Sequence, residues 1–116
     1  MSNQLDYQLA AWPAQREQRA ADGEQFDKPR PVEHFFTFKN KNDAEAAVSE
    51  LRSLKFEADV TKRGLFKSLV YASHVSDLRD ETVTAFLTTV VAVAEKHSGV
   101  YDGFGTYIGG LKASDT

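Results

Sequence analysis

Residues 82–97 read TVTAFLTTVVAVAEKH, and whether they form a strand or a helix decides the architecture. Five residues before Val90 are β-branched, a bias that lowers helix propensity because such side chains lose rotamer freedom against the preceding turn. On the other side, residues 78–97 contain no glycine or proline, and Val83, Phe86, Leu87, Val90, Ala94 and His97 recur at helical spacing. The whole stretch is far longer than a strand, which usually runs about 5–6 residues. The spacing predicts a helix that stops at Gly99. Its apolar part, residues 83–94, includes three threonines and is shorter than the roughly 20 residues of a membrane span.

Upstream, Leu65–His74 (LFKSLVYASH) reads as a strand paired antiparallel with Phe56–Thr61, where Phe56, Ala58 and Val60 alternate with Glu57, Asp59 and Thr61. Lys62, Arg63 and Gly64 supply the turn, with Gly64 in its strained position. Before that, Asn42 with Glu45 makes a plausible cap for a helix over about 43–54, carrying Ala44, Ala47, Val48, Leu51 and Leu54 on one face. Val32–Lys39 (VEHFFTFK) is a further strand, with Val32, His34, Phe36 and Phe38 on one face and Glu33, Phe35 and Thr37 on the other. Asp27–Pro31 (DKPRP) is an extended lead-in, because a residue before proline is pushed out of the helical region. Leu5, Leu9 and Trp12 predict a short helix that ends near Ala11 or kinks at Pro13, with polar, frayed residues 14–22 and a final stop at Gly23. Downstream, Val100–Ile108 (VYDGFGTYI) is the last strand, bent by Gly103 and Gly105.

The order strand, helix, strand, strand, helix, strand predicts a ferredoxin-like α+β sandwich (βαββαβ), an antiparallel sheet with two helices on one face plus a short N-terminal helix. At 116 residues the chain is expected to be a single domain. It comprises an N-terminal helical segment (1–23), a core (24–108) and a tail (109–116).

Composition narrows function by exclusion. Fourteen basic against 17 acidic side chains give a net charge of −3, so no general basic field draws nucleic acid. The absence of cysteine removes thiol nucleophiles and thiolate zinc sites and gives no sign of an oxidising compartment. No secretory signal is visible, and the cytoplasm is the expected location. Glu33 and His34 are strand neighbours pointing to opposite faces, so they do not form an acid–base pair. His34, His74 and His97 lack metal-ligand spacing, and no glycine-framed turn presents Ser68, Ser73 or Ser76 as a nucleophile. No catalytic residue, metal or cofactor is expected.

The sheet face left bare by the helices is more telling. Phe35 points to it, and Tyr71, Tyr101 and Tyr107 are candidates to join it, an aromatic stripe suited to protein contact unless the Leu5, Leu9, Trp12 segment covers it. Homodimerisation through that face is a further reading. Asp102 and Gly103 read as a bend in an edge strand, with Tyr101 and Phe104 packing on either side. Lys39, Lys41, Lys62, Arg63 and Lys67 form a local basic cluster, which supports an RNA-binding module as the alternative function, although Leu65 and Ser68 stand where stacking aromatics belong. A small hydrolase or ligand-binding domain would need a deep polar pocket.

DKPRPVEHFFTF at 27–38, the helix after it, KFEADV at 55–60 and GVYDGFGTYI at 99–108 resemble the regulator of ribonuclease E activity B family. The resemblance spans roughly residues 24–108, and the Glu33-His34 pair and the run Tyr101–Tyr107 carry it most distinctively. It implies a ferredoxin-like sandwich and a non-enzymatic protein that binds the scaffold region of ribonuclease E and restrains its endonucleolytic activity. Direct nucleic-acid binding and membrane association are not expected. Family members often carry an acidic C-terminal tail, whereas this sequence ends GGLKASDT. Candidate partner-binding residues are Arg30, Glu33, His34, Phe35, Tyr71, Tyr101, Asp102, Phe104 and Tyr107.

Overall fold

The computed structural model describes residues 3–106. Tyr107 and the 109–116 tail lie outside the described residues. Four strands, β1 (Arg30–Phe38), β2 (Glu57–Arg63), β3 (Ser68–Ser76) and β4 (Val100–Gly105), form one antiparallel sheet in the order β2-β3-β1-β4. Three helices accompany them: α1 (Asn3–Ala21), α2 (Lys41–Ser53) and α3 (Asp80–Lys96). From β1 onward the order βαββαβ and the antiparallel sheet match the predicted ferredoxin-like α+β sandwich, with an added N-terminal helix.

The β-branched stretch is helical, for visible reasons. Val83, Val90, Val91 and Val93 are all buried in the core, where branched side chains fill space. The Thr88 and Thr89 hydroxyls donate back to the carbonyls of Thr84 and Ala85, at 2.7 and 3.2 Å, so their polar atoms are satisfied by the helix itself. At its C-terminus Ser98, not Gly99, takes the left-handed conformation (φ 60°). Gly99 is needed for space: a Cβ there would run into the ring of Phe38.

The inward residues of β1, namely Val32, His34, Phe36 and Phe38, are buried with Val70 and Ala72 of β3, Ala58 and Val60 of β2, and Leu51, Leu87 and Val90 of the helices. Burying each large apolar side chain contributes about 1.5–3 kcal/mol, which makes this layer the main source of stability.

Four local expectations change. α1 runs unbroken through Pro13 to Ala21, and Gly23 (φ 88°) ends the turn after it. Tertiary contacts hold its second half. Trp12 Nε1 donates to Asp80 at 2.9 Å, Arg16 pairs with Asp80 at 3.1 Å and stacks on Phe26, and Arg19 pairs with Glu24 at 3.0 Å. α1 packs beside α3 and the β4 edge, so Trp12 sits among Phe26 and Phe104 and does not cover the bare sheet face. The cap of α2 is Asn40, not Asn42: its side chain accepts from the Asp43 amide at 2.9 Å. β3 begins at Ser68, and Leu65 and Phe66 form the two-residue tip of the β2–β3 hairpin, closed by the Gly64 amide donating to the Lys67 carbonyl at 2.8 Å. Gly64 is not in a positive-φ conformation; a Cβ there would strike the Lys67 carbonyl oxygen.

At the outer edge of β4, the Gln4 side chain accepts from the Tyr101 amide at 2.8 Å and donates to the Gly99 carbonyl at 3.1 Å. Among the described residues, no helix is long and apolar enough to cross a membrane.

Candidate functional site: the bare face of the sheet

Strand alternation puts Glu33, Phe35 and Thr37 of β1 on the side away from the helices, with Leu69, Tyr71, Ser73 and Val75 of β3. Two rows run across this face. One is Asp59, Tyr71, Phe35 and Gly103; the next is Glu57, Ser73, Glu33 and Gly105. Phe35 is 44% exposed, and its ring centroid lies 6.0 Å from that of Tyr71. The Tyr71 hydroxyl donates to Glu33 at 3.0 Å, which fixes the ring and points a carboxylate at the patch. Thr37 holds Asp102 in the same way, its hydroxyl donating at 2.6 Å. Gly103 and Gly105 flank Phe35 and Glu33 with no side chain, so the β4 side of the patch stays open.

The result is a flat surface with an anchored aromatic pair, exposed Val75 and Val100 beyond it, and the carboxylates of Glu33, Glu57, Asp59 and Asp102 around it. Lys62 lies on the same side at the far end of β2, opposite Leu69. Such a face suits a partner with an apolar anchor and basic side chains.

Of the residues expected to meet a partner, Glu33, Phe35, Tyr71 and Asp102 come together here. Others turn inward. His34 is fully buried and hydrogen-bonded through Nδ1 to the Tyr101 hydroxyl at 2.8 Å. Tyr101 is only 3% exposed, because a register shift between Phe35 and Phe36 interrupts β4 at Asp102 and Gly103 (φ 126°). That bulge sends Tyr101 and Phe104 to the same side, not to opposite sides. Phe104 packs on Trp12 and Phe86, with centroids 5.9 and 5.0 Å away. Arg30 is buried, its guanidinium bonded to Glu24 at 2.9 Å and to the carbonyls of Lys28 and Gln25 at 2.6 Å each. It clamps the lead-in loop and is out of a partner's reach. Glu57 and Asp59 were legible as the polar side of an alternating strand, but only the register shows that they border Tyr71.

The interior offers little acid–base chemistry. Burial, with His74 beside it, holds the His34 imidazole down at about 3, burial also lowers His74, and the Tyr101 phenol is pushed up by burial. All three are neutral near pH 7. Glu33 stands on the opposite side of the sheet from His34.

A family model described as Regulator of ribonuclease activity B matches residues 16–106, which include every residue of the bare face named above. No curated protein matches the chain.

Proposed function

The chain belongs to the regulator of ribonuclease activity B family, and from that premise we propose that it is a non-enzymatic cytoplasmic protein that binds ribonuclease E and restrains its endonucleolytic cleavage. Glu33, Phe35, Tyr71 and Asp102 are the contact residues in this reading. The observation that carries it is the exposed Phe35 ring set against Tyr71, with Tyr71 tied to Glu33. A rigid aromatic anchor gives contact area at low entropic cost, and the fixed carboxylates select a basic partner segment.

The test titrates the protein into ribonuclease E of the same host, full length and lacking the scaffold region, following binding and RNA cleavage together. Saturable binding with slowed cleavage is expected for the full-length enzyme, weakened by Phe35→Ala and lost on truncation. Absence of binding to either form at tens of micromolar, an order-of-magnitude bound for weak association, would overturn the reading.

A further inference from the structure

The apex of the β2–β3 hairpin is unexplained by the bare face. Leu65 and Phe66 are 88% and 82% exposed there, more than any other large apolar residues described. Both sit at the end of a tight two-residue turn, and no fold requirement places a Leu-Phe pair at such a position, where small or polar residues are favoured.

Cations surround this apex. Arg63, Ser68 and Phe38 stand in one row across the sheet, so Lys62 and Lys67 flank the hairpin end, Lys39 follows β1 at the same end, and Lys41 opens α2 just beyond. Arg16, Arg19, Arg30 and Arg52 pair with carboxylates, whereas none of these five cations has an ion pair within 4.0 Å among the described residues. The acids at this end include Asp43, engaged by Asn40, and Glu45, which lines a cleft with Arg63. Asp59 stands one same-face row, roughly 7 Å, from Lys62 and lines the same cleft as Arg63, but it is paired with Arg52 at 3.9 Å; Glu57 pairs five residues above Ser68, roughly 16 Å up the strand and beyond the screening length of about 8 Å at physiological salt.

We propose that the Leu65-Phe66 apex, ringed by Lys62, Arg63 and Lys67, docks the protein peripherally on an anionic lipid bilayer. The two apolar side chains enter the boundary between headgroups and acyl chains while the cations meet the lipid phosphates. The geometry favours lipid over RNA. Leu65 and Phe66 are both apolar and both almost fully exposed at a hairpin tip, which suits entry into the headgroup–acyl boundary, whereas only Phe66 offers a ring on which a base could stack.

Vesicle sedimentation at low salt tests this, using phosphatidylglycerol and phosphatidylcholine in equal parts beside phosphatidylcholine alone. The protein is expected to pellet with the anionic vesicles only. The double variant Leu65→Ser/Phe66→Ser, and separately Lys62→Gln/Lys67→Gln, should each lower the partition coefficient by roughly tenfold or more. In Phe66→Trp, the added fluorescence should be quenched by brominated acyl chains. All these positions are exposed, so the variants fold. Absence of pelleting, or pelleting indifferent to the loss of Leu65 and Phe66, overturns the proposal. So does capture of single-stranded oligouridylate without vesicle binding, which would assign the cations to nucleic acid. An oligomer in lipid-free buffer that the apex variant dissociates, again without vesicle binding, would assign the apex to a second copy.

Discussion

The Tyr101 hydroxyl and Nδ1 of His34 lie 2.8 Å apart in a region where both residues are shut off from water. The bond joins β4 to the central strand β1 through side chains, beside the bulge where the backbone ladder shifts register. Phe36, Phe56, Phe86 and Phe104 surround the two rings. What a sequence reader sees as two surface candidates is therefore a buried polar strut.

Tyr101→Phe removes the hydroxyl and leaves Nδ1 of His34 buried without its partner. A loss of about 1–3 kcal/mol is expected, measured as a lower urea midpoint, with ribonuclease binding unchanged once the variant is folded.

Stability should fall as the medium is acidified through the histidine range. His34 is held at about 3 in the folded chain against an ordinary 6.5, and His74 is lowered in the same direction. Below 6.5 the unfolded chain takes up protons that the folded chain refuses, so stability declines from about pH 6.5 towards pH 3, by roughly 1.4 kcal/mol per pH unit for each fully coupled site. Urea midpoints at stepped pH values check this; a profile flat between pH 7 and 5 contradicts it.

Glu24→Gln strips the counter-charge from Arg30, a pair with both side chains almost fully buried at 2.9 Å. The guanidinium keeps its bonds to the Lys28 and Gln25 carbonyls but loses its carboxylate. Breaking such a pair costs about 3–5 kcal/mol, which thermal denaturation would register as a large drop in Tm.

Three glycines of the β4 region should respond differently to alanine. Gly99→Ala drives a methyl group into the Phe38 ring, and Gly103→Ala places a side chain at φ 126°; each should cost about 1–3 kcal/mol. Gly105 has open space and no positive φ, so its alanine variant should stay within about 0.5 kcal/mol of the parent. Equal losses at all three positions would mean that the local geometry is not what governs them.

On the bare face, Phe35→Ala and Tyr71→Ala should leave folding nearly intact while weakening ribonuclease E binding by about 1–2 kcal/mol or more each. Glu33→Lys, which reverses one charge of the acidic border, should weaken it further and reduce its dependence on salt. Calorimetric titration of each variant separates these effects.

The fold was readable because its signals were long or strictly periodic. The twofold alternation of β1 sorted Val32, His34, Phe36 and Phe38 from Glu33, Phe35 and Thr37 correctly, and the 3.6-residue spacing of α3 outweighed its branched side chains. The errors lie where one residue's position depends on a distant one. Pro13 is tolerated inside α1 because Asp80 and Glu24, far along the chain or beyond the helix, anchor Trp12 just before it and Arg16 and Arg19 after it. Arg30 looked like surface because nothing in DKPRP announces that Glu24 folds back to neutralise it. Tyr101, a candidate for the bare face by sequence, turns inward opposite Phe36, because a single extra residue in a strand reverses the alternation beyond it. Of the nine candidate contact residues, Glu33, Phe35, Tyr71 and Asp102 share the bare face, the first three because the β1–β3 register fixes their direction and Asp102 beside the β4 bulge, where Thr37 holds it.

The contact between Gln4 and β4 has a consequence for how the sheet could grow. With its side-chain nitrogen and oxygen bonded to the Gly99 carbonyl and the Tyr101 amide, Gln4 takes the place of a neighbouring strand at the start of β4 and occupies the backbone groups there that a visiting chain would need. The opposite rim, β2, is broken by a register shift after Val60 and studded with Glu57, Asp59, Lys62 and Arg63, which discourages ribbon-to-ribbon joining. Recognition is thereby steered away from backbone pairing and onto side chains, where a few substitutions can retune the choice of partner without touching the fold.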